Sequence, residues 1–289
     1  MNVLRSIDDI RSQVRQWRQA GLRVGVVPTM GALHKGHLSL VEAALLGCDR
    51  VVATIFVNPL QFGPADDFRI YPRDEATDAR KLDEKGCHAL FAPSEAEMFP
   101  DGITALKDFK TVVHVSQLTE GLCGAFRPGH FDGVTTIVAK LFGIVQPDAA
   151  YFGEKDYQQL LVIRRMCRDL NIPVEVVPVP TVRESDGLAM SSRNQYLSPE
   201  ERHIAPLLYQ TLRGVAERLT AGDDKLDSTL SNARRALLDA GFTKVDYITA
   251  ADVETLEPLE SLKRLKSGAR VFAAAWLGQT RLIDNVPAT

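Results

Sequence analysis

Val24-Gly-Val-Val-Pro-Thr-Met-Gly-Ala-Leu-His-Lys-Gly-His37 is the stretch on which the fold turns. Val24 to Val27 is apolar enough for an interior strand, and Leu38, Leu40, Val41, Ala44 and Leu45 continue with helical spacing. A buried strand that enters a helix through a short loop leaves the first helix amides unpaired above the strand end. Those amides and the helix dipole favour negative charge, Gly36 permits close backbone approach, and the imidazoles of His34 and His37 share one helix face. The expected ligand is an anion, a polyphosphate in particular. A lone His-x-x-His pair is also what a solvated loop with two surface histidines looks like, so other segments must decide.

Working outward, the same strand and helix alternation recurs. Ile7, Ile10, Val14 and Trp17 predict an amphipathic opening helix that ends near Gly21. Val51 to Val57 reads as a second interior strand stopped by Asn58-Pro59, Asp74 to Lys85 as a helix, and His88 to Ala92 as a short strand. Val112 to Val115 reads as an edge strand, Gly133 to Phe142 as a helix, Ala149 to Phe152 as a strand, Tyr157 to Leu170 as a helix, and Val174 to Val179 as a strand. Such alternation implies right-handed βαβ units around a mostly parallel sheet, with ligands beyond the carboxyl ends of the strands.

The rhythm breaks at Pro178 and Pro180. Ser198-Pro199 starts a long helix to about Thr220, a second helix spans Leu226 to Ala240, and strands follow at Val245 to Thr249, Ala269 to Leu277 and Arg281 to Ile283. The expected architecture is α/β: a Rossmann-like, mostly parallel sheet domain over residues 1–184, followed by a smaller α+β carboxyl-terminal domain over residues 185–289.

A chain of 289 residues with 45% hydrophobic and 25% charged residues can bury a sizeable core. Its formal charge of -3, from 34 basic and 37 acidic residues, supplies no broad attraction to nucleic acid or to an anionic membrane. Cys48, Cys87, Cys123 and Cys167 are widely spaced and read as reduced thiols. The amino terminus carries charges where a signal peptide needs apolar residues, and no apolar run approaches the roughly 18 residues of a membrane span, so a cytoplasmic location is expected.

Several chemistries are excluded by absence. Gly124-Ala-Phe-Arg-Pro-Gly129 has Walker A glycine spacing without its Lys-Ser/Thr ending and reads as a loop, no dinucleotide glycine fingerprint follows a strand, and His34 and His37 lack the spacing and glutamate of a zinc protease. Three other segments suit a nucleotide-dependent reaction. Asn58-Pro-Leu-Gln-Phe-Gly63 leaves the second strand beside the phosphate site if the first two strands are neighbours, and Gln61 both donates and accepts, as a small hydroxy acid requires. Phe152-Gly-Glu-Lys-Asp156 passes from strand to helix, with Gly153 and Lys155 suited to ribose or phosphate, Asp156 to the N-cap, and Gln159 one turn further. Met190-Ser-Ser-Arg-Asn194 places two hydroxyls and a guanidinium in a loop suited to clamping phosphates. Taken singly, each is also explained as a solvated turn, a capping turn or a serine-rich linker.

Together they resemble one family. Pro28-Thr-Met-Gly-Ala-Leu-His-x-Gly-His37, Phe56-Val-Asn-Pro-x-Gln-Phe62, Arg127-Pro-Gly-His-Phe-x-Gly-Val134, Phe152-Gly-Glu-Lys-Asp-Tyr-Gln-Gln159 and Met190-Ser-Ser-Arg-Asn194 stand in the order found in pantothenate synthetases, the pantoate–β-alanine ligases. The resemblance runs over essentially the whole chain. The first and last motifs are also similar to the paired signatures of the nucleotidyltransferase superfamily that includes class I aminoacyl-tRNA synthetases. Many of those relatives begin the second signature with lysine; Ala189 stands here, so no lysine from that loop is expected to assist.

The resemblance implies ATP-dependent joining of (R)-pantoate and β-alanine through a pantoyl adenylate, with release of AMP and pyrophosphate. Carried over motif by motif, it implies ATP contacts at Met30, Gly31, Ala32, Leu33, His34, Lys35, Gly36, His37, Gly153, Glu154, Lys155, Asp156, Val182, Met190, Ser191, Ser192 and Arg193. It implies pantoate at Gln61 and Gln159, β-alanine at Gln61, and catalytic work by His37, His34, Lys155 and Arg193. Val182 is expected to meet adenine through its backbone, and Phe56, Phe62, Val134 and Val138 to meet the gem-dimethyl group of pantoate. Mg²⁺ is expected on the phosphates; no pattern designates its protein ligands among acidic residues near Asp74 and Asp78. A homodimer acting only on small molecules is implied as well, and a hydrolysable acyl adenylate implies that the carboxyl-terminal domain acts as a lid against water, hinged near Thr181 to Ser185. A cofactor adenylyltransferase of the same superfamily and a non-catalytic nucleotide-binding module are the alternatives; the first would give an adenylylated product rather than AMP.

Overall fold

The strand that opens the deciding stretch, β2 (Val24–Thr29), lies in the middle of a parallel sheet, and a computed structural model describes residues 1–63, 67–103, 109–222, 225–259 and 268–288. The other strands are β1 (Asn2–Leu4), β3 (Arg50–Ile55), β4 (Ala89–Phe91), β5 (Ala149–Gly153) and β6 (Glu175–Val179), in the order β1-β4-β3-β2-β5-β6. Every recorded pairing in this sheet is parallel. The continuous apolar runs of β2 and β3 are buried on both faces, as such a sheet requires. Chain order proceeds outward from β2 through β3 on one side and jumps to β5 on the other, so the ends of β2 and β5 form the switch point at which such sheets bind ligands.

Helices α1 (Ile7–Gln19), α2 (Lys35–Gly47), α3 (Glu75–Glu84), the short α4 (Glu95–Met98), α5 (Cys123–Phe126), α6 (His130–Val145) and α7 (Tyr157–Asp169) connect these strands. Ser6 caps α1 by accepting from the Asp9 amide, and the helix buries Ile10 and Val14 from the predicted stripe. Leu40, Val41 and Ala44 of α2 pack with Val27, Val51, Ala53, Leu90 and Tyr151, the alternate residues of one sheet face. The four cysteines are buried and unbridged, and burial pushes the thiols of Cys87 and Cys167 up to about 11.

The chain forms two compact units. The first comprises Met1–Glu120, Arg127–Glu154 and Gln159–Pro180; the second comprises Gly121–Phe126, Lys155–Gln158 and Thr181–Thr289. In the second, α8 (Pro199–Ile204), α9 (Leu207–Thr220) and α10 (Leu226–Asp239) accompany an antiparallel sheet of β7 (Lys244–Asp252), β8 (Ala269–Leu277) and β9 (Thr280–Ala288), ordered β7-β8-β9. Leu208, Leu212, Val215 and Leu219 of α9 form its core with Leu237, Val245, Ala273 and Leu282.

Four readings of the sequence need correction. Val112 to Val115 is not a strand: the Val113 amide donates to Thr136 Oγ1, and its carbonyl accepts from Thr135 Oγ1, so helix hydroxyls replace a sheet neighbour. The helix from Pro199 breaks at Ala205-Pro206, because proline lacks the donor a continuous helix needs. The segment read as a loop contains the short helix α5 at Cys123–Phe126. Strand β9 runs on through Asp284, Asn285 and Pro287, and the proline is tolerated because β9 is an edge strand.

Candidate active site

Helix α2 starts at Lys35, and its first turn is organised by the two histidines. His34 is the N-cap: its Nδ1 accepts from the Gly36 amide at 3.1 Å, while His37 Nδ1 accepts from the His34 amide at 3.4 Å. This is a capping box built from imidazoles rather than from serine and glutamate. The rings lie side by side, with centroids 4.1 Å apart. A ring nitrogen that accepts carries no proton, so each neutral imidazole holds its proton on Nε2 and presents an N–H there. The cap thus takes up the Gly36 and His34 amides and fixes both rings over the positive end of the helix dipole, where negative charge is favoured.

The loop before it is tightly determined. Gly31 and Ala32 both have positive φ, 83° and 52°, and a Cβ on Gly31 would lie 3.1 Å from Asp78 Oδ2. Asp78, on α3 and 2% exposed, receives the Ala32 amide at 2.7 Å and the Leu33 amide at 2.8 Å. Lys81 Nζ donates to the Leu33 carbonyl at 2.6 Å. Thr29 Oγ1 donates to the Thr54 carbonyl and accepts from the Gly31 amide, which fixes the loop to β3.

Strands β2 and β3 are neighbours in the register Val24↔Arg50 to Thr29↔Ile55, so the Asn58 to Gln61 segment does leave the sheet beside the histidine loop. Pro59–Gln61 is a single 3-10 turn capped by Asn58, whose Oδ1 accepts from the Leu60 amide. Asn58 Nδ2 donates to Gln61 Oε1 and to the Gly133 carbonyl, each at 3.1 Å, and Gln61 Nε2 lies 2.9 Å from Met30 Sδ. The structure therefore brings Gln61 against the histidine loop. His130 Nδ1 donates to the Gln61 carbonyl at 2.8 Å, and Arg127 Nη1 donates to His130 Nε2 at 3.1 Å. Nearby, Phe56, Val134 and Val138 are buried, and the Phe62 ring packs 5.3 Å from Phe68 and 5.9 Å from Tyr71.

Gly153 ends β5, where an added Cβ would lie 4.0 Å from Leu40 of α2, and Glu154–Asp156 forms a 3-10 turn that continues into α7. Asp156 is thus the last residue of that turn rather than a separate N-cap, and its carboxylate lies 3.8 Å from Lys155 Nζ. Gln159 is partly exposed on α7, whereas its neighbour Gln158 is buried and bonds the Gly121 carbonyl and the Cys123 amide.

In the second unit, the Val182 carbonyl accepts from the Met190 amide at 3.0 Å, and Arg183 and Ala189 form an antiparallel bridge. Ser191 caps a 3-10 turn, Ser192–Tyr196, with its Oγ accepting from the Arg193 amide. Met190, Ser191, Ser192 and Arg193 therefore follow a closed hairpin rather than an open linker. The first unit holds Met30 to His37, Gln61, Gly153, Glu154 and Gln159; the second holds Lys155, Asp156, Val182 and Met190 to Arg193. Among the described residues, no group of three or more His, Cys, Asp or Glu is placed to hold a metal.

The family model described as pantoate-beta-alanine ligase matches residues 2–287. The chain belongs to the pantoate–β-alanine ligase family. A pantothenate synthetase of Paramagnetospirillum magneticum is 55% identical over 286 residues, 99% of this chain and 97% of the relative. One from Chelativorans is 53% identical over 285 residues, 99% of this chain and 97% of the relative. The crystal structure of pantothenate synthetase from Thermus thermophilus superposes with a TM-score of 0.85 at 48% identity, covering 100% of this chain and 99% of that one. A pantoate-beta-alanine ligase from Francisella tularensis, complexed with beta-gamma ATP and beta-alanine, gives a TM-score of 0.82 at 34% identity, covering 100% and 98%. The enzyme is thus a ligase that joins pantoate to β-alanine, and the adenylyltransferase alternative is not favoured. No helix among the described residues is long and apolar enough to cross a membrane.

Four further residues support the site without having been assigned a role from the sequence. Asp78, Asn58, Arg127 and His130 do not reach out for ligand in the described contacts; they hold the backbone and side chains of those that would. Arg127 and His130 carried a signal in the Arg-Pro-Gly-His motif, whereas Asp78 sits in an ordinary helical pattern.

Proposed function

We propose that the ligase works through a pantoyl adenylate, formed at the histidine-capped start of α2. The single observation that carries this reading is the reciprocal His34–His37 cap, which fixes two imidazoles side by side over the positive end of the α2 dipole. The pantoate carboxylate attacks the α-phosphorus of ATP and pyrophosphate leaves; the amine of β-alanine then attacks the acyl carbon, and AMP leaves. Both nucleophile and target are anionic, so positioning and charge stabilisation carry the first step.

In this reading His37 and His34 stabilise charge developing on the phosphates, and Lys155 and Arg193 neutralise the polyphosphate. Met30 to Leu33, Lys35, Gly36, Gly153, Glu154, Asp156, Val182, Met190, Ser191 and Ser192 shape the ATP site. Val182 meets adenine through its backbone, which the bond from the Met190 amide to the Val182 carbonyl holds in the hairpin. Gln61 and Gln159 hold pantoate, Gln61 also orients β-alanine, and Phe56, Phe62, Val134 and Val138 receive the gem-dimethyl group. Mg²⁺ offsets charge on ATP. Asp74 caps α3 and Asp78 anchors the histidine loop, so phosphate oxygens and water are its natural ligands. The same reading makes the ligase a cytoplasmic homodimer without nucleic-acid or membrane partners.

Incubation with ATP, Mg²⁺ and pantoate, with and without β-alanine, followed by mass identification of products, tests the route. Pantothenate and AMP should appear only with the amine, and [¹⁸O]-carboxylate pantoate should deliver label to AMP. Pantothenate formed without label in AMP would sink the adenylate. Light scattering of the purified chain checks the dimer.

A further inference from the structure

The small sheet of the second unit holds polar side chains where apolar ones would serve stability as well. Arg270, Asp284 and Asn285 are 9%, 4% and 3% exposed, among the buried Val271, Ala273, Leu282 and Val286. Buried ion pairs are rarely more stable than an apolar substitute, so their partners call for another explanation.

Those partners lie in or beside the two segments of this unit that the proposed function gives to ATP. Successive strand residues point to opposite faces, so Asp284 and Asn285 reach different neighbours. Asp284 holds Arg183 in a two-point pair, Oδ2 to Nη1 at 2.7 Å and Oδ1 to Nη2 at 2.9 Å. Arg183 Nη1 also donates to the Gly187 carbonyl at 3.1 Å, and its guanidinium stacks 3.8 Å from the Tyr209 ring centroid. Arg183 follows Val182 and bridges Ala189, so this pair pins the base of the hairpin that delivers Met190–Arg193. On the other face, Asn285 Nδ2 donates to the Lys155 carbonyl at 2.9 Å, while Asn285 Oδ1 accepts from Arg270. Arg270 in turn stacks 4.0 Å from the ring centroid of Tyr157, two residues past Lys155.

We propose that Asp284 and Asn285 are positioning residues for the ligase reaction: Asn285 fixes the backbone of Lys155, and Asp284 fixes, through Arg183, the hairpin that carries Met190–Arg193. The proposal rests on the reading that Lys155 and Met190–Arg193 handle the phosphates of ATP. Two adjacent residues of β9 thereby set the spacing of two phosphate-handling segments that are distant in sequence. The substituents are placed for this: an amide supplies both a donor for Lys155 and an acceptor for Arg270, whereas an ionised aspartate only accepts.

The test is a double-mutant cycle between Asn285→Asp and Lys155→Ala in the full-length chain, read as the rate of pyrophosphate release. Asn285→Asp keeps an acceptor for Arg270 and loses the donor to Lys155. Expected are a fall in kcat of ~10- to 100-fold with pantoate KM unchanged, and no further fall when Lys155→Ala is already present. Losses that multiply in the double variant, or a wild-type kcat in Asn285→Asp, overturn the proposal while leaving the phosphate role of Lys155 intact. A wild-type kcat in Lys155→Ala would instead overturn the reading beneath it, and the proposal with it. If Asn285→Asp does not fold, Asn285→Ala, which also lacks the donor to Lys155, enters the same cycle with the same outcomes.

Discussion

Replacing Asp78 by asparagine should loosen the histidine loop without emptying space in the core. The carboxylate is 2% exposed and accepts two backbone amides, Ala32 at 2.7 Å and Leu33 at 2.8 Å. Asparagine keeps one acceptor and turns an NH₂ group toward the other amide, so one charge-assisted hydrogen bond, worth ~1.5–3 kcal/mol, becomes a donor facing a donor. Release of the left-handed Ala32, whose φ is 52°, returns ~1–2 kcal/mol if the loop relaxes. Loss of the 3.9 Å Lys81 contact adds little, because Lys81 is partly solvated. The net loss should reach at most about 2 kcal/mol in urea unfolding if the loop relaxes, and about 1.5–3 kcal/mol if it does not. The larger effect should be kinetic: a shift of ~1 Å at His34 costs on the order of 100-fold in the rate of pyrophosphate release. A variant that matches the parent in both urea midpoint and pyrophosphate release would refute the anchoring role.

Gly133→Ala places a Cβ 2.2 Å from the Leu60 carbonyl oxygen and 2.6 Å from the Gln61 amide, so α6 and the 3-10 turn must part; stability should fall by ~1–3 kcal/mol and pantoate KM should rise while ATP KM holds, which initial-rate kinetics would check. Asp246 feels burial, which favours its neutral form, but hydrogen bonds from Lys244, Arg281 and Trp276 prevail and hold its carboxyl below the usual range. A depressed folded value stabilises above the ordinary carboxylate pKa and loses that contribution as pH falls through it. The stability gap between the parent and Asp246→Asn should therefore be widest near neutral pH and close below about pH 4 in urea titrations; a constant gap would contradict the ion-pair account. Chelation of Mg²⁺ should stop pyrophosphate release yet leave the thermal midpoint of the nucleotide-free protein unchanged, and a lowered midpoint would point to a metal bound by the protein itself.

Much of the sheet was legible because its strands announce themselves. Val24 to Val27 and Val51 to Ile55 are apolar on both faces, and α1, α2 and α10 follow regular spacing to a defined stop. What escaped was determined by distant partners. Asn2–Leu4 is too short and exposed to carry a period, and it becomes a strand only by pairing with β4. Val112 to Val115 has strand-like composition but finds Thr135 and Thr136 instead of another strand. Asp284-Asn285 looks like the end of a strand, yet Arg183 and Arg270 satisfy both residues and β9 continues. At the site, the histidine motif was legible as the start of a helix, since helix starts of this kind follow local rules. The supports of that motif did not show, because Asp78 is a helical carboxylate like its neighbours until the fold brings Ala32 and Leu33 to it.

The position of β2 between β3 and β5 also bears on how the protein is made. During synthesis, β1 to β4 emerge well before β5, which begins at Ala149. A nascent chain that stops short of that residue can form the half-sheet β1-β4-β3-β2, with β2 as an open edge and the histidine loop at its end. Its unpaired backbone then invites association with another unfinished chain. Arrival of β5 closes that edge and completes the switch point in one event. Ribosome-bound chains truncated before Ala149 should accordingly aggregate and retain no ATP, whereas chains extended past β6 should gain solubility.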